Sequence, residues 1–276
     1  MARFGQQSRV GTALSSWGFP TTDAIPAPTA VDFLVVGAGA GGGGNAGGGA
    51  GGYRCTVGTY SGRNSALESQ LAVSAGTTYT ITIGAGNQPS PLGRAGDTTF
   101  VAGLTTLKQA LGGGGSSWNQ SGSAGGCGGG SRGEGGGTRG GGAGTAGEGF
   151  DGGSGSTDEN TYRSSGSGGG AGGAGSNGQT SGAGTYFEAG TLNGLTNSIT
   201  GTSTTYSRGG GSSYTGTQSA NTGNGSLNGN GGSGIVVIRY ANTLRQATTT
   251  GSPTFADSGG YYIYTFTGSG TIVWNN

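Results

Sequence analysis

Val31-Asp32-Phe33-Leu34-Val35-Val36-Gly37-Ala38-Gly39-Ala40-Gly41-Gly42-Gly43-Gly44 joins the two textures from which most of this chain is made. Its first six residues are apolar, β-branched or aromatic side chains broken by a single aspartate, the composition of a strand. The eight residues that follow carry nothing larger than a methyl group. Helix is strongly disfavoured where glycine recurs, and no apolar helical period runs through them. A strand followed by an extended glycine segment is therefore the local reading.

Both textures recur. Strand-like runs lie at Tyr53 to Tyr60, Leu71 to Ser74, Thr78 to Ile83, Thr98 to Leu107, Ile235 to Tyr240, Tyr261 to Phe266 and Thr271 to Trp274. Thr78 to Ile83 alternates with period two, so one face is expected in a core and the other displays threonine. Phe266-Thr267-Gly268-Ser269-Gly270-Thr271-Ile272 reads as a hairpin closed by a short Gly-Ser-Gly turn. Glycine tracts run from Gly37 to Gly52, Gly112 to Gly149, Gly152 to Gly184 and Gly209 to Gly234. Chains without side chains can pack closely in polyproline-II geometry, three residues per turn, and pair N–H with C=O between neighbours. Collagen is excluded, because the Gly-X-Y register fails within a few triplets and the chain has only 6 Pro.

Composition narrows the function classes. Of 276 residues 73 are Gly, and only 8% are charged with a net charge of +1, so the high net charge that marks a disordered chain is missing. That near-neutrality also removes the electrostatic attraction on which nucleic-acid binding rests, although Arg139-Gly140-Gly141 and Arg208-Gly209-Gly210 imitate RGG boxes. With no His, neither a Ser-His-Asp triad nor a Cys-His pair can be built. Gly37-Ala38-Gly39-Ala40-Gly41-Gly42 satisfies G-x-G-x-x-G, yet the helix and the following acidic residue of a dinucleotide site are not in the pattern. Asp158-Glu159 is the one adjacent carboxylate pair, and Asp151 to Asn160 offers oxygen ligands without EF-hand spacing; both read as solvated loop. No enzyme, no cofactor and no metal site is expected. No run of about 18 apolar residues suggests a membrane span, the first residues lack the apolar core of a signal peptide, and Cys55 and Cys127 read as two free residues of a cytoplasmically synthesised chain.

Residues 1–30 differ from the rest. Phe4, Val10, Leu14, Trp17 and Phe19 are scattered apolar anchors followed by Pro20, Pro26 and Pro28, an extended arm suited to docking on another subunit or to packing on its own domain. Aromatic residues interrupt the glycine tracts at Trp118, Phe150, Tyr162, Tyr186, Phe187, Tyr206 and Tyr214. Trp118, Tyr162, Tyr186, Phe187 and Tyr214 are candidate receptor contacts, because exposed rings stack on sugar faces at little entropic cost; packing on neighbouring subunits explains them equally.

Four blocks in order carry a family likeness. The Val31-to-Gly44 segment with Gly47-Gly48-Gly49-Ala50-Gly51-Gly52-Tyr53 resembles the opening of the glycine-rich domain of phage tail fibres and adhesins, of marine phage type. Gly76 to Gly86, Gly96-Asp97-Thr98-Thr99-Phe100 and the closing Ser233-Gly234-Ile235-Val236-Val237-Ile238-Arg239-Tyr240 follow. The resemblance implies an all-β fold: a β-sandwich-like base with long glycine-rich loops in a polyglycine-II arrangement, preceded by the short extended arm. The chain then divides into arm 1–30, glycine-rich β domain 31–240 and C-terminal β-hairpin segment 241–276. It further implies a virion structural protein, a tail fibre or appendage subunit assembled in the host cytoplasm. Its partners would be other virion proteins through residues 1–30 and a host surface glycan or protein at the loop tips, with no nucleic acid and no membrane insertion. A decoration or cement protein without a receptor is the alternative. Closed symmetry makes a homotrimer the expected assembly.

Overall fold

The computed structural model describes residues 25–88, 93–103, 105–133, 137–156, 164–178, 193–211 and 215–275. Its strands are β1 (Ala30–Val36), β2 (Tyr53–Cys55), β3 (Leu71–Ala72), β4 (Tyr79–Thr82), β5 (Thr98–Ala102), β6 (Thr105–Ala110), β7 (Ser117–Trp118), β8 (Ser131–Arg132), β9 (Leu195–Asn197), β10 (Thr204–Tyr206), β11 (Ile235–Ala241), β12 (Thr248–Thr250), β13 (Thr254–Ser258), β14 (Tyr261–Phe266) and β15 (Gly270–Val273). Among the described residues there is no α-helix, and the fold is all-β.

β1 is covered on both faces, which is why its apolar residues do not alternate with polar ones. Val31, Phe33 and Val35 point into a core shared with β4, β5 and β15, while Leu34 and Val36 face a second core beneath the β9–β10 hairpin. Asp32 is the exception. Its carboxylate meets Arg239, its cross-strand partner on β11, at 3.3 Å and accepts from Gln70 and Thr56 at 3.1 Å each.

Two antiparallel sheets form the sandwich. One has the order β13-β14-β11-β1-β2, with β3 paired to the start of β1; the other has the order β12-β15-β4-β5-β6. Tyr79 and Ile81 on β4, Phe100 on β5 and Ile272 on β15 meet Phe33, Ile238 and Phe266 from the first sheet, and all are essentially buried. Trp274 closes this core, its ring edge-on to Tyr79 at 5.6 Å and to Tyr240 at 5.7 Å.

The expected hairpin Phe266 to Ile272 does not form. β14 pairs with β11 and β13 in one sheet, whereas β15 pairs with β4 and β12 in the other, so Gly268-Ser269-Gly270 carries the chain across the sandwich. Phe266 and Ile272 then enter the same core from opposite sheets. The hairpin in this region is β13–β14, where Ser258 faces Tyr261 across Gly259 (φ 60°) and Gly260 (φ 84°), two left-handed residues as a type I′ turn requires.

From the sandwich the glycine tracts pass into a lattice with a three-residue period. The segment 47–52 shows the rule. Gly47 and Ala50 donate to Gly166 and Gly169; Gly48 and Gly51 donate to Ser226 and Gly223; Gly49 and Gly52 donate to Gly114 and Leu111, at 2.8–3.1 Å. On the acceptor side Gly47 and Ala50 receive from Gly130 and Cys127, Gly49 and Gly52 from Ala40 and Gly37, and Gly48 from Gly210. Residues three apart address the same neighbour because three residues make one turn, and six segments surround this one, as in polyglycine II. Even the carbonyl of Gly51 is met, by the buried Cys127 thiol at 3.6 Å. Cys55 and Cys127 are both free and buried.

Most of these glycines are required by closeness and not by backbone conformation. A Cβ on Gly51 would lie 1.9 Å from the Gly37 carbonyl oxygen, and one on Gly47 would lie 1.9 Å from that of Gly210, although neither residue has a positive φ. The lattice ends where polar side chains take over its donors. Asn87 accepts from Gly41 N–H, Ser116 from Gly43, Thr98 from Gly84, Asp97 from Gly112 and Asn224 from Arg208, at 2.7–3.1 Å. At these positions a side-chain oxygen replaces the next strand that is not there, whereas Ser131 and Ser226 are fully buried and accept lattice bonds on their own carbonyls.

Candidate functional site

Two polar regions stand out against this apolar and glycyl framework. The first is a hydrogen-bonded patch next to Trp118 and flanking residues 157–163 and 179–192. Asn119, directly after Trp118 and with a left-handed φ of 56°, donates its N–H to the Arg132 carbonyl at 3.2 Å and accepts from the Arg139 guanidinium at 3.2 and 3.4 Å. Arg139 exchanges both backbone hydrogen bonds with Gly155, at 2.8 and 3.1 Å. One residue on, Ser156 accepts from Ser164 N–H at 2.8 Å and donates to the Ser164 hydroxyl at 3.0 Å, pinching together the two ends of loop 157–163. On the other side Ser154 holds Asn177 and Gly178, at 2.8 and 2.9 Å, where segment 179–192 departs. Asn119 beside Trp118, the two flanks of residues 157–163 and the leading flank of residues 179–192 therefore share one contiguous hydrogen-bonded patch, while Asn193 after the latter bonds to Gly172.

Trp118 itself lies on β7, paired parallel with β8, and its side chain is outside the described residues. Tyr162, Tyr186, Phe187 and Tyr214 lie outside them as well, as do Phe4, Val10, Leu14, Trp17 and Phe19 of the arm. The flanks of Tyr214 are not part of the patch: Gly216 and Gln218 bond instead toward Ser226 and Asn230. Two other tract aromatics are not tips. Tyr206 is buried in the second core, and Phe150 lies under the Arg63 guanidinium, 5.1 Å from its carbon to the ring centroid. Gly37 to Gly42 opens no helix; Gly37 and Gly39 donate to Gly52 and Gly232 as lattice members. Asp151 is engaged by Gly144 N–H at 2.8 Å and Arg63 at 3.3 Å, and among the described residues no three metal-ligating side chains converge.

The second region is a charged seam where the edge strands β2 and β6 meet the lattice, and nothing in the local sequence announces it. Arg54 on β2 grips Glu68 through Nε (2.7 Å) and Nη2 (3.0 Å), a bidentate pair, and Lys108 on β6 reaches the same carboxylate. Burial works against ionisation of Glu68, but the hydrogen bonds from Arg54 and Lys108 outweigh it and hold the carboxyl below the usual range. Glu148 has the opposite character. Its Oε2 accepts the Leu111 N–H at 2.7 Å against the Cα of Gly52, and burial raises its carboxyl above the ordinary value despite that bond and the attraction of Arg54.

Those two shifts give opposite pH dependences. Glu148 keeps its proton in the folded chain at pH values where the unfolded chain has released it. Stability is therefore lost as pH rises from about 4.5 through the raised value, and the penalty is complete above it. Glu148→Gln keeps an acceptor for Leu111 and cannot ionise. It is expected to unfold at higher temperature than the parent at pH 8 and at the same temperature near pH 4; a lower midpoint at pH 8 would contradict the assignment. Glu68 contributes in the other direction, its stabilisation present above the ordinary carboxylate range and lost as pH falls through its lowered value.

A family model described as a glycine-rich domain matches residues 15–241. The chain belongs to that family. The matched glycine-rich domain ends on Ala241, the last residue of β11, so the strands that finish its sandwich, β12 to β15, lie beyond the match. No curated protein and no solved structure matches the chain.

Proposed function

We propose that this glycine-rich domain protein is a non-enzymatic virion component, a tail-fibre or appendage subunit that holds its loops toward a host surface. The shared hydrogen-bonded patch carries this reading. A binding surface made of several segments needs their flanks fixed relative to one another, and here hydrogen bonds join Asn119 to Arg139, Arg139 to Gly155, Ser156 to Ser164 and Ser154 to Gly178, with 154–156 consecutive in the chain. Behind the patch stands a lattice whose segments are cross-bonded through their backbones, as Gly130 is to Gly47 and Gly153 to Ser167, so the flanks are held on a stiff support and less ordering remains to be done on binding. The aromatic residues of those loops suit a glycan or a protein on the host. Residues 1–30 would dock the subunit on the particle, and a homotrimer is the assembly in keeping with closed symmetry.

The test uses antibodies raised against peptides 157–163 and 179–192, applied to particles that contain the chain. Adsorption to the host is expected to fall by about tenfold, while antibody against the C-terminal strand segment 254–266 leaves it unchanged. Particles decorated by the loop antibodies yet adsorbing normally would rule out attachment and favour a decoration protein.

A further inference from the structure

The charged seam holds a cleft of about 290 Å³ lined by Arg54, Ser61, Ser65, Glu68, Gly147 and Glu148. That is the lower end of the range for small-molecule sites, room for one small ring. Its walls are two tight turns. Ser61 N–H donates to the Ser65 carbonyl at 2.9 Å around Arg63 and Asn64, both left-handed (φ 57° and 53°). Opposite, Thr145 accepts from Glu148 and Gly149 around the left-handed Gly147 (φ 75°). The floor is β2, whose Tyr53 N–H donates to the Glu148 carbonyl at 3.1 Å.

What the cleft offers a ligand follows from which groups are already committed. Arg54 turns its guanidinium to Glu68 and, at 3.2 Å, to the Gln109 carbonyl, and Lys108 turns its ammonium to Glu68, so both charges are directed at groups of the chain itself. Glu148 is 7% exposed, and only its Oε2 is used; Oε1 has no hydrogen-bond partner among the described residues. Ser61 is 1% exposed and bound to Cys55, whose N–H it accepts at 3.2 Å, whereas the half-buried Ser65 has a hydroxyl that is unpartnered among the described residues. The free groups are thus a carboxyl oxygen on one wall and a hydroxyl, both donor and acceptor, on the other.

An anion would lie against the Glu68 carboxylate. A cation would find Glu68 already met by two positive charges and Glu148 resisting ionisation. A neutral molecule whose groups both donate and accept meets neither objection. We propose that this cleft binds a single neutral sugar ring, its hydroxyls bridging Glu148 Oε1 on one wall and the Ser65 hydroxyl on the other. The proposal is independent of the attachment role, since the cleft uses none of the tip aromatics.

One ring in three charge states tests it with the full chain. Ligand-observed NMR and calorimetry are run with D-glucose, D-galactose and D-mannose, and with D-glucosamine and D-glucuronate as the cationic and anionic counterparts. At least one neutral sugar is expected to bind with a dissociation constant on the order of millimolar, as a few hydrogen bonds without ring stacking allow. Ser65→Ala should weaken it about fivefold, the worth of one hydrogen bond. Glu148→Gln should weaken it about tenfold while raising thermal stability at pH 8, which separates lost binding from lost folding. No binding by any neutral sugar, a charged ring binding more tightly than the neutral ones, or full affinity in both variants would each overturn the assignment.

Discussion

Gly51→Ala is expected to cost about 3 kcal/mol of folding stability, the upper end of what overpacking does. A single methyl group is responsible. At Gly51 it would stand 1.9 Å from the Gly37 carbonyl oxygen and 2.2 Å from its carbon, and both belong to a backbone held by its own lattice bonds. The neighbour cannot rotate away as a side chain would, so either Gly37 or segment 47–52 must shift and break the bonds on its far side. Gly43→Ala is the matched control. Nothing lies within 4 Å of its Cβ position and its φ is not positive, so the change should be neutral or stabilising by roughly 0.5 kcal/mol through the unfolded chain. Urea denaturation of the two variants measures the difference; a Gly51→Ala midpoint equal to that of Gly43→Ala would show that the lattice gives way easily.

Trp274→Ala should be at least as damaging, about 3–5 kcal/mol, as for other large aromatic residues removed from a core. The ring is fully buried and lies edge-on to Tyr79 of one sheet and Tyr240 of the other, so its loss opens a void between sheets that both remain pinned elsewhere. The same variant asks how tightly segment 241–276 is bound into the sandwich. If β12 to β15 are integral to it, urea unfolding followed by near-UV and far-UV circular dichroism moves to lower denaturant as one transition. A loss confined to the near-UV signal, with the far-UV midpoint unchanged, would mean that the segment melts by itself.

How much of this was legible depended on side chains. Val31 to Val36, Thr78 to Ile83 and Ile235 to Tyr240 announce β1, β4 and β11, because a covered strand needs apolar residues in a pattern set by its faces. The glycine tracts declare their conformation but not their partners. A residue without a side chain says nothing about which segment lies beside it, and the neighbours of Gly47 to Gly52 come from six separate parts of the chain. Thr248 to Thr250 and Thr254 to Ser258 escaped notice because edge strands carry mixed, mostly exposed side chains. Ser258-Gly259-Gly260-Tyr261 was a readable hairpin signal. Gly268-Ser269-Gly270 was not, since the same tripeptide can turn a strand back or carry it to another sheet, and only the shared core of Phe266 and Ile272 decides. The seam was invisible for another reason: Arg54, Glu68, Lys108 and Glu148 belong to four distant stretches, each bland alone, and converge only when β2, β6 and the lattice are assembled.

The three-residue repeat of the bonds around Gly47 to Gly52 also constrains how such a chain can change over generations. Inserting one residue into a tract turns every later donor by about a third of a turn and aims it at the wrong neighbour, whereas inserting three restores the aim. Even then the six companions must lengthen with it or be capped anew by Asn, Asp, Ser or Thr, as Gly41 and Gly112 are capped by Asn87 and Asp97. The stretch between Ser156 and Ser164 is free of that arithmetic, because the two serines clasp each other whatever the number of residues between them. Length can therefore vary between Ser156 and Ser164 while the tracts can change only in triplets and in concert, so the framework channels variation away from the lattice.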